Sequence, residues 1–349
     1  MLMINKNKWS ELFSKISSNR ELYMPIEKGG QVQFERWSAG AKVRFDKLNT
    51  VKSAKDFFFP QSENIVAFKT KGKNISIIDN RDESKPFVIF GVRGCDAASF
   101  KILDRVFLAE PVDTYYETRR KNGTVITLAC SELEETCFCS TFGIDPINPE
   151  GDIVTWIVDD VLYWESITKK GHALTEDIKV MFEKTEQQDD EKLYKHKKGI
   201  KDLINRLPLQ SLNLEGILEE INNDKLLKVF NSPKWKELSQ ACIGCGTCTF
   251  ICPTCHCYDI RDYDTGHGIQ RFRCWDSCMY SDFTRMSHGN PRNSQLERFR
   301  QRFMHKLVYF PENNDGVFAC VGCGRCISKC PVSMNIVTVA KALEVKDDE

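Results

Sequence analysis

Two cysteine runs near the C-terminus constrain this 349-residue chain more than any other feature of its sequence. Each run has the pattern Cys-x2-Cys-x2-Cys-x3-Cys-Pro. The first consists of Cys242, Cys245, Cys248 and Cys252, and the second of Cys320, Cys323, Cys326 and Cys330. This spacing is typical of two-cluster proteins, in which three thiolates of one run bind one [4Fe–4S] cluster and the fourth binds the other. The runs therefore predict a chain that transfers electrons.

The exchanged fourth cysteine determines the predicted ligand sets. We expect one cluster on Cys242, Cys245, Cys248 and Cys330, and a second on Cys320, Cys323, Cys326 and Cys252. Gly244 and Gly324 should let backbone N–H groups approach the sulfurs, where hydrogen bonds tune the cluster potential. Two zinc sites are the alternative, because paired Cys-x2-Cys motifs also bind zinc. Zinc needs neither the third step of each run nor an exchanged ligand, so the spacing favours clusters.

The N-terminal sequence predicts an α/β domain over residues 1–184. Phe87–Val92 and Thr124–Ala129 are short apolar runs of the kind that form buried strands. Helical spacing of apolar residues follows the first run, and Asp96 is the expected N-cap of that helix. Residues 153–164 predict a hairpin.

Four cysteines precede the two runs, namely Cys95, Cys130, Cys137 and Cys139. Cys95 and Cys130 each follow a predicted strand, and open α/β sheets place their sites at such strand ends. We interpret the four thiolates as the ligands of a third iron–sulfur cluster. A zinc site, or unligated buried cysteines, are the alternatives.

The C-terminal sequence predicts a mainly α-helical, two-cluster ferredoxin-like domain over residues 235–349, with an insertion at 253–319 between the runs. Two helical apolar stripes support it: Leu296, Phe299, Phe303 and Leu307, and Ile336, Val339, Ala340 and Leu343. The charged and then apolar residues 185–234 predict a linker or exposed helix face followed by bridging helices, whose apolar positions are Leu214, Ile217, Leu218, Ile221, Leu226, Leu227 and Phe230.

The insertion holds three cysteines of uncertain role, Cys255, Cys257 and Cys278. They could form a thiol reaction centre or an extra metal site. Packing against the neighbouring cluster, where they would keep water away, is the favoured interpretation. The sequence predicts no role for Cys274.

The insertion and the helix after it are also basic. The residues are Arg271, Arg273, Arg292, Arg298, Arg300, Arg302 and Lys306. They could dock an acidic electron-transfer partner, since complementary charge steers encounter, or form a solvated helix face.

Composition narrows the class of protein. The 49 basic and 49 acidic residues balance, so net charge offers no argument for nucleic-acid or membrane binding. The longest apolar stretch is too short to span a bilayer. The first residues lack the apolar core of a signal peptide, and 16 cysteines in such a chain favour metal ligands in a reducing cytoplasm.

Six motifs occur together: Gly91–Asp96, Cys137–Cys139, Cys242–Cys248, Cys252–Cys257, Trp275–Met279 and Cys320–Cys326. Together they resemble the iron–sulfur subunit that the anaerobic sulfite reductases share with the soluble NiFe sulfhydrogenases, where it is the beta subunit. The resemblance covers both predicted domains. It implies a position between a flavin-bearing reductase, which binds FAD and NAD(P)H, and a catalytic subunit, which carries sirohaem in one branch and a NiFe centre in the other.

The sequence predicts an electron relay, with no acid–base pair or nucleotide-binding motif of its own. A flavin partner would split the hydride of NAD(P)H into single electrons, and the clusters would pass them on. The alternative is an enzyme, a thiol or disulfide reductase that works at Cys255 and Cys257 beside a cluster.

Overall fold

The computed structural model describes residues 1–79, 85–209 and 223–343, and the chain folds as two compact units. The first unit comprises Met1–Lys55, Ser84–Ser211 and Val321–Gly324. The second comprises Asp56–Glu83, Leu212–Cys320 and Arg325–Glu349. This division differs from the predicted domain of residues 1–184, because residues 56–83 group with the C-terminal part of the chain.

The strands, in chain order, are β1 (Leu2–Asn5), β2 (Glu21–Lys28), β3 (Gln31–Arg36), β4 (Ser62–Lys71), β5 (Asn74–Asp79), β6 (Phe87–Val92), β7 (Gly123–Leu128), β8 (Ile153–Val158), β9 (Val161–Ser166), β10 (Glu183–Lys184), β11 (Tyr258–Asp264) and β12 (Gly268–Trp275).

The described α-helices are α1 (Trp9–Ser17), α2 (Gly94–Phe107), α3 (Thr114–Asn122), α4 (Lys169–Ile178), α5 (Gln187–Ile204), α6 (Asn223–Phe230), α7 (Lys234–Ser239), α8 (Thr247–Phe250), α9 (Gln295–Met304), α10 (Phe310–Glu312), α11 (Arg325–Ser328) and α12 (Ile336–Leu343). A π-helix, His305–Tyr309, continues α9, and short 3-10 helices cover Lys6–Lys8, Ala54–Phe57, Cys139–Phe142 and Lys179–Met181.

An eight-stranded mixed sheet forms the first unit, in the order β10-β1-β9-β8-β7-β6-β2-β3. Its centre is parallel, since β2, β6, β7 and β8 pair in parallel, and the flanking strands pair antiparallel. The predicted strands at β6 and β7 are confirmed, and every residue of both is buried. The predicted hairpin is confirmed as β8 and β9, which turn at Asp159 and Asp160.

Helices cover both faces of this sheet, which explains why its central strands are continuous apolar runs. Leu12 of α1 and Leu174 of α4 pack in one core with Phe90. Leu193 of α5 packs in a separate cluster with Trp156. Ile153 of β8 belongs to the first core and Val154 to the second cluster, as expected for residues on opposite faces of one strand.

Helix α2 begins earlier than the sequence suggested. Its N-cap is Arg93, so the prediction of Asp96 as N-cap is wrong. Asp96 lies buried in the first turn, where a negative charge interacts favourably with the helix dipole. Cys95 therefore also lies in the first turn of α2, directly after β6.

The charged stretch that was predicted as a linker or exposed helix face forms most of helix α5. Leu193 and Ile200 are buried on it, and a capping box at Glu186 and Asp189 begins the helix. The bridging-helix prediction falls partly on α6, and its positions from Leu214 to Ile221 lie outside the described residues.

The second unit combines helices with a four-stranded antiparallel sheet, in the order β11-β12-β4-β5. The expectation of a mainly α-helical domain is therefore only partly met, because β11 and β12 form a hairpin in the inserted segment. Elsewhere in the unit, Trp235 of α7 packs against Phe299 and Phe303 of α9. No helix in the described part of the chain is long and apolar enough to cross a membrane.

Two arginines on β12 have contrasting environments. Arg273 is buried, and its Nε donates to Oε1 of the buried Glu63 at 2.7 Å. Arg271 lies on the same strand and makes a bidentate pair with Asp262, at 2.7 and 2.8 Å, in the open solvent. A pair shielded from water is costly to break, since the remaining partner is a buried uncompensated charge.

We expect Arg273→Met to destabilise the second unit by about 3–5 kcal/mol, because the buried Glu63 would lose this counter-ion. The matched change Arg271→Met, which breaks an exposed pair on the same strand, should have little effect. Thermal unfolding and hydrogen exchange in β4 measure both variants. Equal effects of the two changes would contradict the assignment of Arg273 and Glu63 as a structural pair.

Candidate metal centres

One cavity in the second unit is lined by five cysteines from both runs, four of which are Cys242, Cys245, Cys248 and Cys330. These are the residues predicted as the first ligand set. Cys326 is the fifth, and apolar side chains line much of the rest, among them Ile243, Met279, Phe299 and Val332. The cysteines arrive on two short helices, α8 and α11, and on the loops beside them. The donor set fits a soft, thiolate-bound iron cluster.

Hydrogen-bond donors approach the sulfurs of this cavity. Gln295 Nε2 donates to Cys242 Sγ at 3.3 Å, and the Met334 backbone N–H donates to Cys330 Sγ at 3.2 Å. A hydrogen bond with the Thr247 hydroxyl lowers the pKa of Cys245. Gly244 has φ of +67°, and a Cβ there would lie 2.9 Å from the Gln295 side chain. The glycine therefore leaves space for Gln295 to reach the Cys242 sulfur.

Cys252, predicted to serve the other cluster, is surrounded by polar partners. Lys306 Nζ donates to its sulfur at 3.3 Å, and the Thr254 hydroxyl lies 3.1 Å from it. A hydrogen bond with Cys255, together with Lys306, lowers the pKa of Cys252 well below its ordinary value, whereas that same bond and burial raise the pKa of Cys255. The lowered pKa of Cys252 favours its thiolate, which is the form that binds metal, and Cys255 is its hydrogen-bonding neighbour.

Three of the basic residues that were predicted to form a docking surface or a solvated helix face are buried instead. Arg273, Arg302 and Lys306 are buried, with 4%, 5% and 4% of their surface exposed, so both interpretations are wrong for them. Arg302 lines the cysteine cavity, and its Nε has no hydrogen-bond partner among the described residues. Arg300 instead stacks its guanidinium on the Phe230 ring, 3.6 Å from the ring centroid.

One short segment of the second cysteine run, Val321–Gly324, belongs to the first unit. There the Phe138 backbone N–H donates to the Gly322 carbonyl at 3.0 Å, and Asn49 Nδ2 donates to the Cys323 carbonyl at 3.3 Å. A Cβ on Gly322 would lie 2.4 Å from the Phe138 carbonyl oxygen. A Cβ on Gly324 would lie 2.5 Å from the Thr136 carbonyl oxygen, so this glycine permits loop contact.

The loop that contains Thr136 and Phe138 also carries two of the four N-terminal cysteines. Cys137 and Cys139 lie on it, with Cys139 at the start of a 3-10 helix. Burial, followed by the neighbouring thiols of Cys130 and Cys137, raises the pKa of Cys139 to about 12. Burial also raises the pKa of Cys130, against an opposing effect of Arg93. The structure thus brings these three predicted ligands together.

Cys95 and Cys130 follow β6 and β7, which are adjacent parallel strands, so both residues lie at one edge of the sheet. Arg93 supports this edge from the buried side. Its guanidinium donates to the carbonyl oxygens of Ala129 at 2.9 Å and of Phe45 at 2.6 Å. The strand ends that present the cysteines are therefore connected by one buried cation.

The remaining cysteines of the insertion lie at the base of the β11–β12 hairpin. The Asp276 N–H donates to the Cys257 carbonyl at 3.0 Å, which closes the hairpin base. A hydrogen bond with Cys257, and then burial, raise the pKa of the Cys278 thiol. Cys274 lies on β12 opposite Asp259 and outside these contacts.

No three Cys, His, Asp or Glu side chains within residues 1–79, 85–209 and 223–343 are arranged to hold a single metal ion. A cubane holds its thiolates farther apart than one ion does, because its iron atoms occupy different corners of the cluster. The cysteine sets therefore share cavities and loops and do not converge on one point.

Two comparisons with known proteins agree with this geometry. Residues 241–334 match the family described as a 4Fe-4S dicluster domain, which spans both cysteine runs. The chain is also 31% identical over 331 residues to the sulfhydrogenase 2 subunit beta of Pyrococcus furiosus, and the match covers 94% of each chain. The chain therefore belongs to the family of iron–sulfur subunits that the six motifs indicated, that of the sulfhydrogenase beta subunits.

Proposed function

We propose that this chain is the electron-relay subunit of a multi-subunit oxidoreductase, and that it passes single electrons through two [4Fe–4S] clusters. The cavity that Cys330 shares with Cys242, Cys245 and Cys248 carries the proposal. It joins the fourth cysteine of one run to three of the other, as two exchanged cubanes require. Cys320, Cys323, Cys326 and Cys252 would hold the second cluster.

The relay connects a two-electron donor to a catalytic centre. A flavin subunit that oxidises NAD(P)H would receive a hydride, release its proton and deliver the two electrons one at a time. The cysteines of each set would hold a cubane, which would supply one-electron chemistry to the relay. The relative in Pyrococcus furiosus is named a sulfhydrogenase subunit, which supports a NiFe hydrogenase as the catalytic partner over a sirohaem sulfite reductase.

We further propose a third iron–sulfur cluster on Cys95, Cys130, Cys137 and Cys139. The proximity of three of these thiols and the strand-end position of the fourth support it. The loop of Cys137 and Cys139 also contacts the loop of Cys323 through a backbone hydrogen bond. A cluster there would lie beside the loop of the second cysteine run, within the first unit.

Metal analysis of the anaerobically purified chain tests this assignment. Three cubanes give about twelve irons with equal labile sulfide, and two give about eight. About eight irons with one zinc would place zinc in the N-terminal set and contradict the third cluster. Zinc without iron or labile sulfide would contradict the relay itself.

The ligand exchange predicts which variants share a defect. Cys330→Ser should perturb the same paramagnetic signal as Cys245→Ser, because both residues line one cavity. Cys252→Ser and Cys323→Ser should perturb the other signal. Electron paramagnetic resonance of each reduced variant measures this. If Cys330→Ser instead alters the signal lost in Cys323→Ser, each run binds its own cluster and the exchange is contradicted.

Contact between the two cysteine loops predicts a further effect. Gly322→Ala should lower the thermal midpoint and the iron content, because its Cβ would meet the Phe138 carbonyl oxygen at 2.4 Å. Gly316→Ala is the matched control, since Gly316 also has positive φ but has nothing within 4 Å of a Cβ. Both changes bear a left-handed backbone penalty of about 1–2 kcal/mol, and overpacking adds about 1–3 kcal/mol at Gly322 alone. Equal loss in both variants would contradict a tight loop contact.

The double variant Cys255→Ser with Cys257→Ser distinguishes the electron relay from the alternative of a thiol or disulfide reductase. Reduction of a dye by the reduced complex should survive in this double variant if the thiols only pack and donate hydrogen bonds. Loss of all electron transfer with the clusters intact would favour reductase chemistry.

A further inference from the structure

Two cations are buried among the cysteine sulfurs of the second unit. Arg302 lies in the last turn of helix α9, and Lys306 follows it in the π-helix, four residues later. Their exposed fractions are 5% and 4%. Within the described part of the chain, neither side chain forms an ion pair with a carboxylate. Uncompensated buried charge is strongly destabilising, so the negative counter-charge must come from another group.

Lys306 faces the predicted ligand of one cluster. Its ammonium group donates to Cys252 Sγ at 3.3 Å, to Thr254 Oγ1 at 2.8 Å and to the Ala319 carbonyl oxygen at 2.9 Å. These three acceptors fill its three donors. Only the sulfur among them can carry a full negative charge.

Arg302 lies near ligands of both proposed clusters. It lines the cavity of Cys242, Cys245, Cys248 and Cys330. Burial lowers the pKa of Arg302, but the charges of Cys248 and Cys326 outweigh that effect and raise the pKa overall. Its Nε–H, which has no partner among the described residues, is available to an anionic group in the cavity.

A fixed positive charge has a defined effect on a cubane. Reduction adds one negative charge to the cluster, so a nearby cation stabilises the reduced form more than the oxidised form. The effect is large where water is excluded, because the effective dielectric constant is low. It acts alongside hydrogen bonds to the sulfurs, which are a known determinant of potential.

We propose that Arg302 and Lys306 raise the reduction potentials of the clusters through their fixed positive charges. Lys306 acts on the cluster bound through Cys252, and Arg302 acts on both clusters. The inference rests on the proposed function, since it requires both cubanes. It assigns a role to two buried residues that are neither predicted ligands nor part of a docking surface.

Lys306→Met tests the selective half of the proposal. This change removes the charge but keeps an unbranched side chain of similar length. We expect about a tenfold shift in the equilibrium of the Cys252 cluster towards its oxidised form, which corresponds to a potential lower by about 59 mV. The other cluster should keep its potential. Redox titration of the anaerobic full chain, followed by electron paramagnetic resonance, measures both clusters.

Arg285→Met is the matched control. It removes one positive charge from the same unit, but Arg285 is 74% exposed and 3.8 Å from its partner Asp282. Water and salt screen such a charge, so neither potential should change. Arg302→Met should lower both potentials. An unchanged Cys252-cluster potential in Lys306→Met, or an equal shift in Arg285→Met, would overturn the proposal.

Lys306→Arg keeps the inference testable if the methionine variant loses iron. The arginine keeps the positive charge, so it should retain the cluster and a potential close to the native value. Loss of the cluster in both variants would show that only the shape of Lys306 matters and would overturn the proposal. Absence of iron and labile sulfide from the unmodified chain would refute the proposed function instead, and the two failures are therefore distinguishable.

Discussion

Two cations buried among cysteine sulfurs impose the strongest physical constraint on the second unit, because their charge needs a negative partner. Arg302 and Lys306 lie on one helical surface beside Phe299 and Phe303, which cannot solvate a charge. Water cannot reach them, and within the described residues no carboxylate pairs with them. The cysteine sulfurs, or the clusters they bind, can supply the negative charge that lowers the cost of this burial. If the clusters supply this negative charge, cluster loading and folding of this unit are coupled, as in other metal-dependent domains.

Local patterns were sufficient to predict the elements that carry the N-terminal cysteines. Phe87–Val92 is apolar throughout because β6 is covered on both faces, and a run of that kind is visible in any short window. The β8–β9 hairpin was visible for a similar reason, since two apolar runs flank two aspartates. The helix start was not, because Asp96 is a good cap residue that the fold instead buries within the first turn of α2.

The structure of the inserted segment was harder to predict from the sequence, because it is determined by residues far away along the chain. Strand β12 pairs with β4, far away in sequence, and Arg273 is buried only because Glu63 lies opposite it. A charged residue in a short window indicates exposure. One signal did exist for the other cations: Arg302 and Lys306 occur three residues after Phe299 and Phe303, within the apolar stripe of α9 rather than opposite it.

Cysteine spacing and glycine placement together determine how far the sequence could define the sites. The four thiols that the spacing predicts as one ligand set line one cavity together with Cys326, and their assignment to one cluster stays a prediction. It did not predict that Gly322 and Gly324 lie against the backbone of Thr136 and Phe138. Both glycines have positive φ, which a cysteine loop of this kind needs for itself. Because glycine has no side chain, the backbone of the neighbouring loop can also approach closely. Glycine therefore both permits the backbone conformation of the cysteine loop and leaves space for the Thr136–Phe138 loop.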